Sequence, residues 1–282
     1  MLRSNFHSHC TFCDGRSHPE DFIKFALDRH FRAYGFSSHS PLPFDTFWNM
    51  SACDMDEYIN EITRLKKKYS EQIEIYLGLE IDYLDETYNA SIPYFRSLPL
   101  DYRMGSIHFL RQRLPLTEEN MVCIDGTYSD FALAVDMCYQ GNVRLITEDF
   151  FRSSMQMIET GGFDIIGHMD KIYMNSCRHP GFDIQAAWYQ KPLEAYIDLI
   201  AEKGLIVEIN TKNFVRKQQT FPHIETLKLL HKHQIPVMVN SDCHFPDLVN
   251  DGRQGTLDLL KETGFKATRE IVKGAWQDVA ID

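Results

Sequence analysis

The sequence predicts an α/β fold, a barrel of seven parallel strands. Two observations carry that expectation. Strand-like and helix-like segments alternate along the chain in seven units, which implies a parallel sheet covered by helices. Every strand-like run also ends in a His, Asp or Glu. The outer strands of an open sheet lie too far apart to bring such ends together, whereas the strand ends of a barrel form a ring. Periodicity alone leaves a barrel and an open doubly wound sheet unseparated, and the polar residues decide between them. At 282 residues the chain suits one such barrel, and no linker or shift in composition divides it. One domain over residues 1–282 is expected.

The first strand, Leu2 to Phe6, delivers His7 and His9. Their i, i+2 spacing sends both imidazoles to the same side of an extended backbone, and Asp14 follows within a tight turn. Alone, this stretch reads equally as a metal-gripping strand end or as a polar turn facing solvent. Ser17 as N-cap, Pro19 in the first turn and apolar positions 22, 23, 25, 26 and 27 predict a helix. A second strand, Ala33 to Ser37, leads to His39 and a loop marked by Pro41 and Pro43. That loop carries the aromatic run Phe44–Trp48, a candidate lid or pocket wall, with burial for stability as the alternative. A helix from Met55 to Tyr69 follows, its Lys66–Lys68 end suited to the negative pole of the helix dipole.

The third strand, Ile73 to Glu80, ends in a carboxylate. A helix over about 86–98 precedes the fourth strand, Tyr102 to Ile107, and His108. Residues 111–128 read as loop and 129–159 as mostly helical. The fifth strand, Phe163 to Gly167, precedes His168, and a helix is expected over 184–203. The sixth, Leu205 to Ile209, contains Glu208 and leads to Asn210. After a helix from His223 to His233, the seventh strand, Pro236 to Asn240, precedes Asp242 and His244. Shorter helices are expected to complete the chain.

A net charge of −11 argues against a nucleic acid held across a broad surface, so no nucleic-acid partner is expected. No apolar stretch approaches the ~20 residues that span a bilayer, and no basic-then-apolar leader is visible. No membrane partner and a cytoplasmic location follow as expectations. Seven cysteines, an odd number without framework spacing, suit a reducing compartment. Cys10 and Cys13 form a C-x-x-C pair, compatible with a redox motif or half a zinc ribbon, but no second pair completes four ligands.

Six of the twelve histidines fall at strand ends, and those at 18, 30, 179, 223, 231 and 233 fall in helices or loops. His7, His9, His39, His108, His168 and His244, with Asp14, Glu80 and Asp242, exceed what one metal can use. Two to three divalent ions (Zn, Mn or Fe) are therefore expected, with Glu80 or Asp242 bridging a pair. Such a centre favours hydrolysis, because a metal-bridged hydroxide is nucleophilic at neutral pH and the ions clamp a phosphoryl group.

His7-x-His9 with Asp14, Ser38-His39-Ser40-Pro41, Gly78-Leu79-Glu80, Gly105-Ser106-Ile107-His108, Gly167-His168 and Ser241-Asp242-x-His244 resemble, in order, the PHP (polymerase and histidinol phosphatase) family. The resemblance implies a distorted (β/α)7 barrel with a trinuclear centre. One ion would take His7, His9, Glu80 and Asp242; a second Glu80, His108 and His168; a third Asp14, His39 and His244. Asp14 stands where many relatives have histidine. Glu208-Ile209-Asn210-Thr211, Arg216-Lys217 and Phe221-Pro222 look like the stand-alone histidinol phosphatases, which hydrolyse L-histidinol phosphate in histidine biosynthesis. Catalytic roles are expected for Asp242, Glu80 and His244, with Asp242 or metal-bound water assisting the leaving alkoxide. Arg216 and then Lys171 are the candidates for holding a small phosphorylated substrate, and either reads equally as a surface charge; Arg178 is a weaker third. Glu208 and Asn210 are taken to contact the substrate or to orient ligands from behind. Two alternatives stay open: a phosphoesterase acting on nucleotides or oligonucleotides, and a metal-binding module without turnover.

Overall fold

The computed structural model describes residues 3–112 and 115–281. Leu2, expected to open the first strand, lies outside the described residues, as do 113 and 114 of the expected 111–128 loop. Seven strands form one sheet: β1 (Arg3–Asn5), β2 (Phe31–Phe36), β3 (Glu74–Asp82), β4 (Tyr102–Ser106), β5 (Ile165–Ile166), β6 (Ile206–Asn210) and β7 (Val237–Asn240). Their spatial order is their chain order, and every neighbouring pair is parallel.

The sheet comes round on itself between β7 and β1 to give a nearly closed barrel. At that seam the backbone ladder shrinks to one parallel bridge between Ser8 and Cys243, where His9 N–H donates to Cys243 O at 2.9 Å. Amide side chains complete the closure. Asn240 Oδ1 accepts from Phe6 N–H, and Asn5 Oδ1 accepts from Ser241 N–H, each at 2.8 Å. Backbone groups that an open edge would leave unpaired are thereby satisfied.

Inside the barrel, Phe6, Tyr76, Tyr102, Met104, Ile165 and Met238 form an apolar filling. The Tyr102 hydroxyl donates to Phe6 O at 2.6 Å and so spans from β4 to the chain just beyond β1. Gly35 and Gly78 leave room for this ring. A Cβ on Gly35 would stand 2.5 Å from the Tyr102 hydroxyl, and one on Gly78 would stand 2.2 Å from a ring carbon. Outside, the helices Pro19–Asp28 and Met55–Lys68 bury Phe22, Ile23 and Ala26, and Tyr58, Ile62 and Leu65, respectively.

Several expectations change. His18, rather than Ser17, caps the first helix, its side chain accepting from Glu20 N–H. The helix expected over 86–98 is confined to Pro93–Ser97, because the Asp85 carboxylate accepts from the N–H groups of Thr87 and Tyr88 and folds that stretch into a turn. The 111–128 loop contains half of an antiparallel ribbon, Met121–Cys123, paired with Phe109–Arg111. The helical stretch at 129–159 is two helices, Tyr128–Cys138 and Val143–Thr160, separated near Gly141, whose φ is +71°. The chain finishes in one helix, Arg253–Thr263, and a hairpin, Ala267–Val272 with Ala275–Ala280, where further helices were expected. Ile271 of that hairpin joins the barrel filling at the end away from the histidines.

Candidate metal centre

The carboxyl ends of the strands converge on one ring of side chains. His7 and His9 follow β1, and their Nε2 atoms lie 3.1 Å apart. Glu80 of β3 occupies the middle of the ring. Its Oε1 is 2.9 Å from His168 Nε2 and 3.6 Å from His108 Nε2, and its Oε2 is 3.3 Å from His7 Nε2 and 3.0 Å from His39 Nδ1. After β7, Asp242 Oδ1 lies 3.2 Å from His9 Nε2, and His244 Nε2 lies 3.3 Å from Asp14 Oδ1. All nine side chains singled out in the sequence meet here.

Within the ring, three groups hold ligand atoms within 4.8 Å of one another: His9, Asp14, His39 and His244; His7, His9 and Asp242; His39, Glu80 and His108. They overlap more than the three sets implied by the resemblance. His39 turns Nδ1 to Glu80 and Nε2 to Asp14, 3.9 Å away, while His9 stacks between the rings of His39 and His244 with both centroids at 4.2 Å.

The ring fits divalent ions. Asp14 Oδ1, His39 Nδ1 and Glu80 Oε2 are buried without hydrogen-bond partners. Buried polar atoms without hydrogen bonds are costly, and these three, whose close neighbours are one another and the ring imidazoles, leave lone pairs for cations. Imidazole nitrogen with carboxylate oxygen is a donor set for zinc, manganese or iron. Burial and the neighbouring His244 and His39 hold His9 well below its ordinary pKa, in the neutral form that ligates. Burial opposes ionisation of Glu80, yet His7, His39 and His108 hold its carboxyl well below the usual range.

A second layer fixes the ligands. Glu208 accepts from His7 Nδ1 at 2.6 Å and from the backbone N–H of His168 at 2.9 Å. Asp82 Oδ1 lies 3.0 Å from both N and Nδ1 of His108, and Cys13 Sγ is 3.6 Å from His9 Nδ1. Asn210 donates to Asp242 Oδ2 at 3.0 Å. Such partners set the tautomer and direction of the ligating nitrogen. His168 and Asp242 both adopt positive φ, 25° and 48°, a conformation that non-glycine residues hold only where their surroundings impose it.

Glu208 and Asn210 were expected to contact substrate or to orient ligands. Both are fully buried, outside the linings of the two cavities over the ring, and bonded to His7 and Asp242, respectively. Two adjoining cavities, of about 460 and 680 Å³, open over the ring and share a wall that includes Asp14, Asp125, Lys212, Asp242 and His244. Arg216 and Lys171 line the larger one. Lys171 is only 3% exposed and pairs with Asp125 at 2.8 Å. Arg178, by contrast, lies over the Tyr128 ring and outside both linings. In the aromatic run, Trp48 packs on His39 and stacks on Phe109 as wall, while Phe47 stands 96% exposed at the rim. Cys10 and Cys13 are free thiols, pushed by burial up to about 12 and about 11, respectively, so neither is a ready nucleophile.

Asp82 shows in the sequence only through the Glu80-x-Asp82 spacing, and two further contributors escaped the sequence reading. Lys212 lies two residues after Asn210, and its ammonium is 3.1 Å from Asp242 Oδ1. Asp125 sits in a loop with no pattern to mark it.

A family model described as "PHP domain" matches residues 5–212. The histidinol-phosphatase of Bacillus subtilis (strain 168) is 25% identical over 269 residues, covering 86% of this chain and 94% of that protein. A solved structure of histidinol phosphate phosphatase from Lactococcus lactis, complexed with zinc, L-histidinol and phosphate, superimposes with a TM-score of 0.76 at 20% identity. It covers 98% of each chain.

Proposed function

This chain belongs to the PHP domain family, and from that premise we propose that it hydrolyses a small phosphomonoester, L-histidinol phosphate, to L-histidinol and phosphate. One observation carries the reading: nine imidazole and carboxylate side chains from six of the seven strand ends, oriented by Glu208 from the remaining one, meet beneath a cavity lined by Lys171, Lys212 and Arg216. The names of the relatives support the substrate. His7, His9, Asp14, His39, Glu80, His108, His168, Asp242 and His244 would hold two or three divalent ions. Ions bound there supply Lewis acidity toward phosphoryl oxygens and make water a nucleophile near neutral pH.

The remaining steps belong to side chains. Burial raises the Asp242 pKa, but Lys212, His7 and His9 outweigh it and keep the carboxylate ionised at neutral pH. It is thus a proton acceptor before it is a donor. As water attacks phosphorus in line with the ester oxygen, Asp242 takes the water proton. The phosphorus–ester oxygen bond breaks, and Asp242 returns the proton to the departing alkoxide. Glu80 stays charged in the middle of the ring, steadied by the Ser106 hydroxyl that donates to its Oε1 at 2.7 Å. His244 Nδ1 donates to Asp242 O at 3.1 Å, which leaves Nε2 toward Asp14 as a ligand. Arg216 and Lys171 attract the phosphate, and Phe47 and Trp48 receive the heteroaromatic end.

Phosphate release from L-histidinol phosphate, nucleoside monophosphates and oligonucleotides, alongside elemental analysis of the purified protein, tests this. L-histidinol phosphate should be preferred by about tenfold or more in kcat/KM, with two or three Zn, Mn or Fe ions per chain. Faster degradation of oligonucleotides sinks the substrate assignment, and one ion or none sinks the polynuclear centre.

A further inference from the structure

The ring is rich in negative charge. Asp14, Glu80 and Asp242 face it directly, with Asp82, Asp125 and Glu208 close behind. Buried carboxylates require counter-charge. Among the described residues, Lys212 is the lysine or arginine whose charged group is recorded in contact with a ligand carboxylate, whereas Lys171 is paired with Asp125. The oxygen it contacts, Asp242 Oδ1, is also the one 3.2 Å from His9 Nε2 and 3.8 Å from His7 Nε2. Lys212 therefore stands on the atom that an ion held by His7, His9 and Asp242 would need.

Its backbone is anchored, while its side chain is held through the bond from Nζ to Asp242 Oδ1. Lys212 N–H donates to Asn210 Oδ1 at 3.0 Å, the neighbouring Thr211 N–H donates to Asn240 O at 2.8 Å, and Thr211 Oγ1 donates to Asp251 O. Beyond that anchor the side chain is 38% exposed and borders both cavities. A four-carbon arm ending in a compact, strongly hydrated charge suits exchange between two anionic partners better than a forked guanidinium does.

We propose that Lys212 is an exchangeable counter-ion: it neutralises Asp242 in the metal-free chain, yields that oxygen to a divalent ion, and then serves the phosphoryl group above. The proposal rests on reading the ring as a metal centre over a phosphate site; its tests use zinc and inorganic phosphate, so they do not depend on which ester is the substrate.

The full-length protein is stripped with chelator, and zinc affinity is measured by competition against a chromophoric chelator for wild type, Lys212→Met and Lys212→Arg. Removing the competing charge should tighten zinc binding about tenfold in Lys212→Met and lower the thermal midpoint of the stripped protein. Lys212→Arg, which keeps the charge and holds the carboxylate with a fork, should bind zinc no more tightly than wild type. Inorganic phosphate, used as an inhibitor of the loaded enzyme, should bind about tenfold more weakly to Lys212→Met. Unchanged or weakened zinc affinity in Lys212→Met, or an arginine variant that behaves like the methionine one, overturns the exchange with the ion. Unchanged phosphate inhibition overturns the second half. Should stripped Lys212→Met not stay folded, Lys212→Gln takes its place in the zinc competition, and the loaded Lys212→Met protein still tests phosphate. A protein that binds zinc and phosphate in this way yet leaves L-histidinol phosphate intact would contradict the substrate reading while leaving the role of Lys212 standing.

Discussion

Glu208 shows how much of the chemistry depends on a residue that does not line the cavities. Its two oxygens accept from His7 Nδ1, Asn240 Nδ2, His168 N–H and Asn210 Nδ2, so one carboxylate orients ligands or their neighbours on β1, β5, β6 and β7. Asp82 repeats the device at His108. Replacing Glu208 by Gln keeps the shape and removes the charge that fixes His7. Zinc affinity, measured by chelator competition, should fall about 10–100-fold while circular dichroism stays that of wild type. An unchanged affinity would mean that Glu208 is an ordinary buried acid. The candidate ligands, and their convergence on one ring, were legible because histidines and acids at strand ends are a pattern along the chain. Lys212 and Asp125 were not, because a loop lysine and a loop aspartate acquire meaning only from the partners the barrel brings to them, Asp242 at 3.1 Å and Lys171 at 2.8 Å.

Among the helices, Glu20 links Pro19–Asp28 to Met55–Lys68. Its carboxylate accepts from Lys68, from Tyr69 Oη at 2.7 Å and from Arg64 at 2.9 Å, and these bonds hold its pKa down at about 2. A depressed carboxylate adds stability that is complete above its unfolded pKa of about 4.5 and lost as pH falls toward the folded value. Urea midpoints of wild type and Glu20→Gln should therefore differ at pH 7, and the gap should narrow below about pH 4.5. The gap itself is modest, since exposed pairs contribute little; a gap independent of pH refutes the assignment. Element boundaries were readable where buried parallel strands give continuous apolar runs, as in β3 and β6. They were unreadable where side chains or turns override periodicity. Asp85 makes a turn of an expected helix. Lys273 and Gly274, with φ of 51° and 78°, form the tight connection of the last hairpin, which lacks the Asn-Gly pair that usually announces one.

Over the whole molecule the seam is where the first and last barrel strands meet. His7 and His9 follow the first strand and Asp242 the last, so an ion shared by them also crosslinks the two edges of the sheet. Stripping the ions should lower the thermal midpoint and speed amide exchange at Phe6, His9 and Ser241, whose N–H groups close the seam, more than at the β3–β4 ladder. Uniform acceleration would detach the seam from the centre. The same placement has a consequence for synthesis on the ribosome. Seven of the nine ligands precede residue 169, but Asp242 and His244 emerge only after more than seventy further residues. A nascent chain can thus offer loose candidate ligands early, yet the complete ring exists only once the last barrel strand has docked against the first, so full loading of the centre has to wait for that strand.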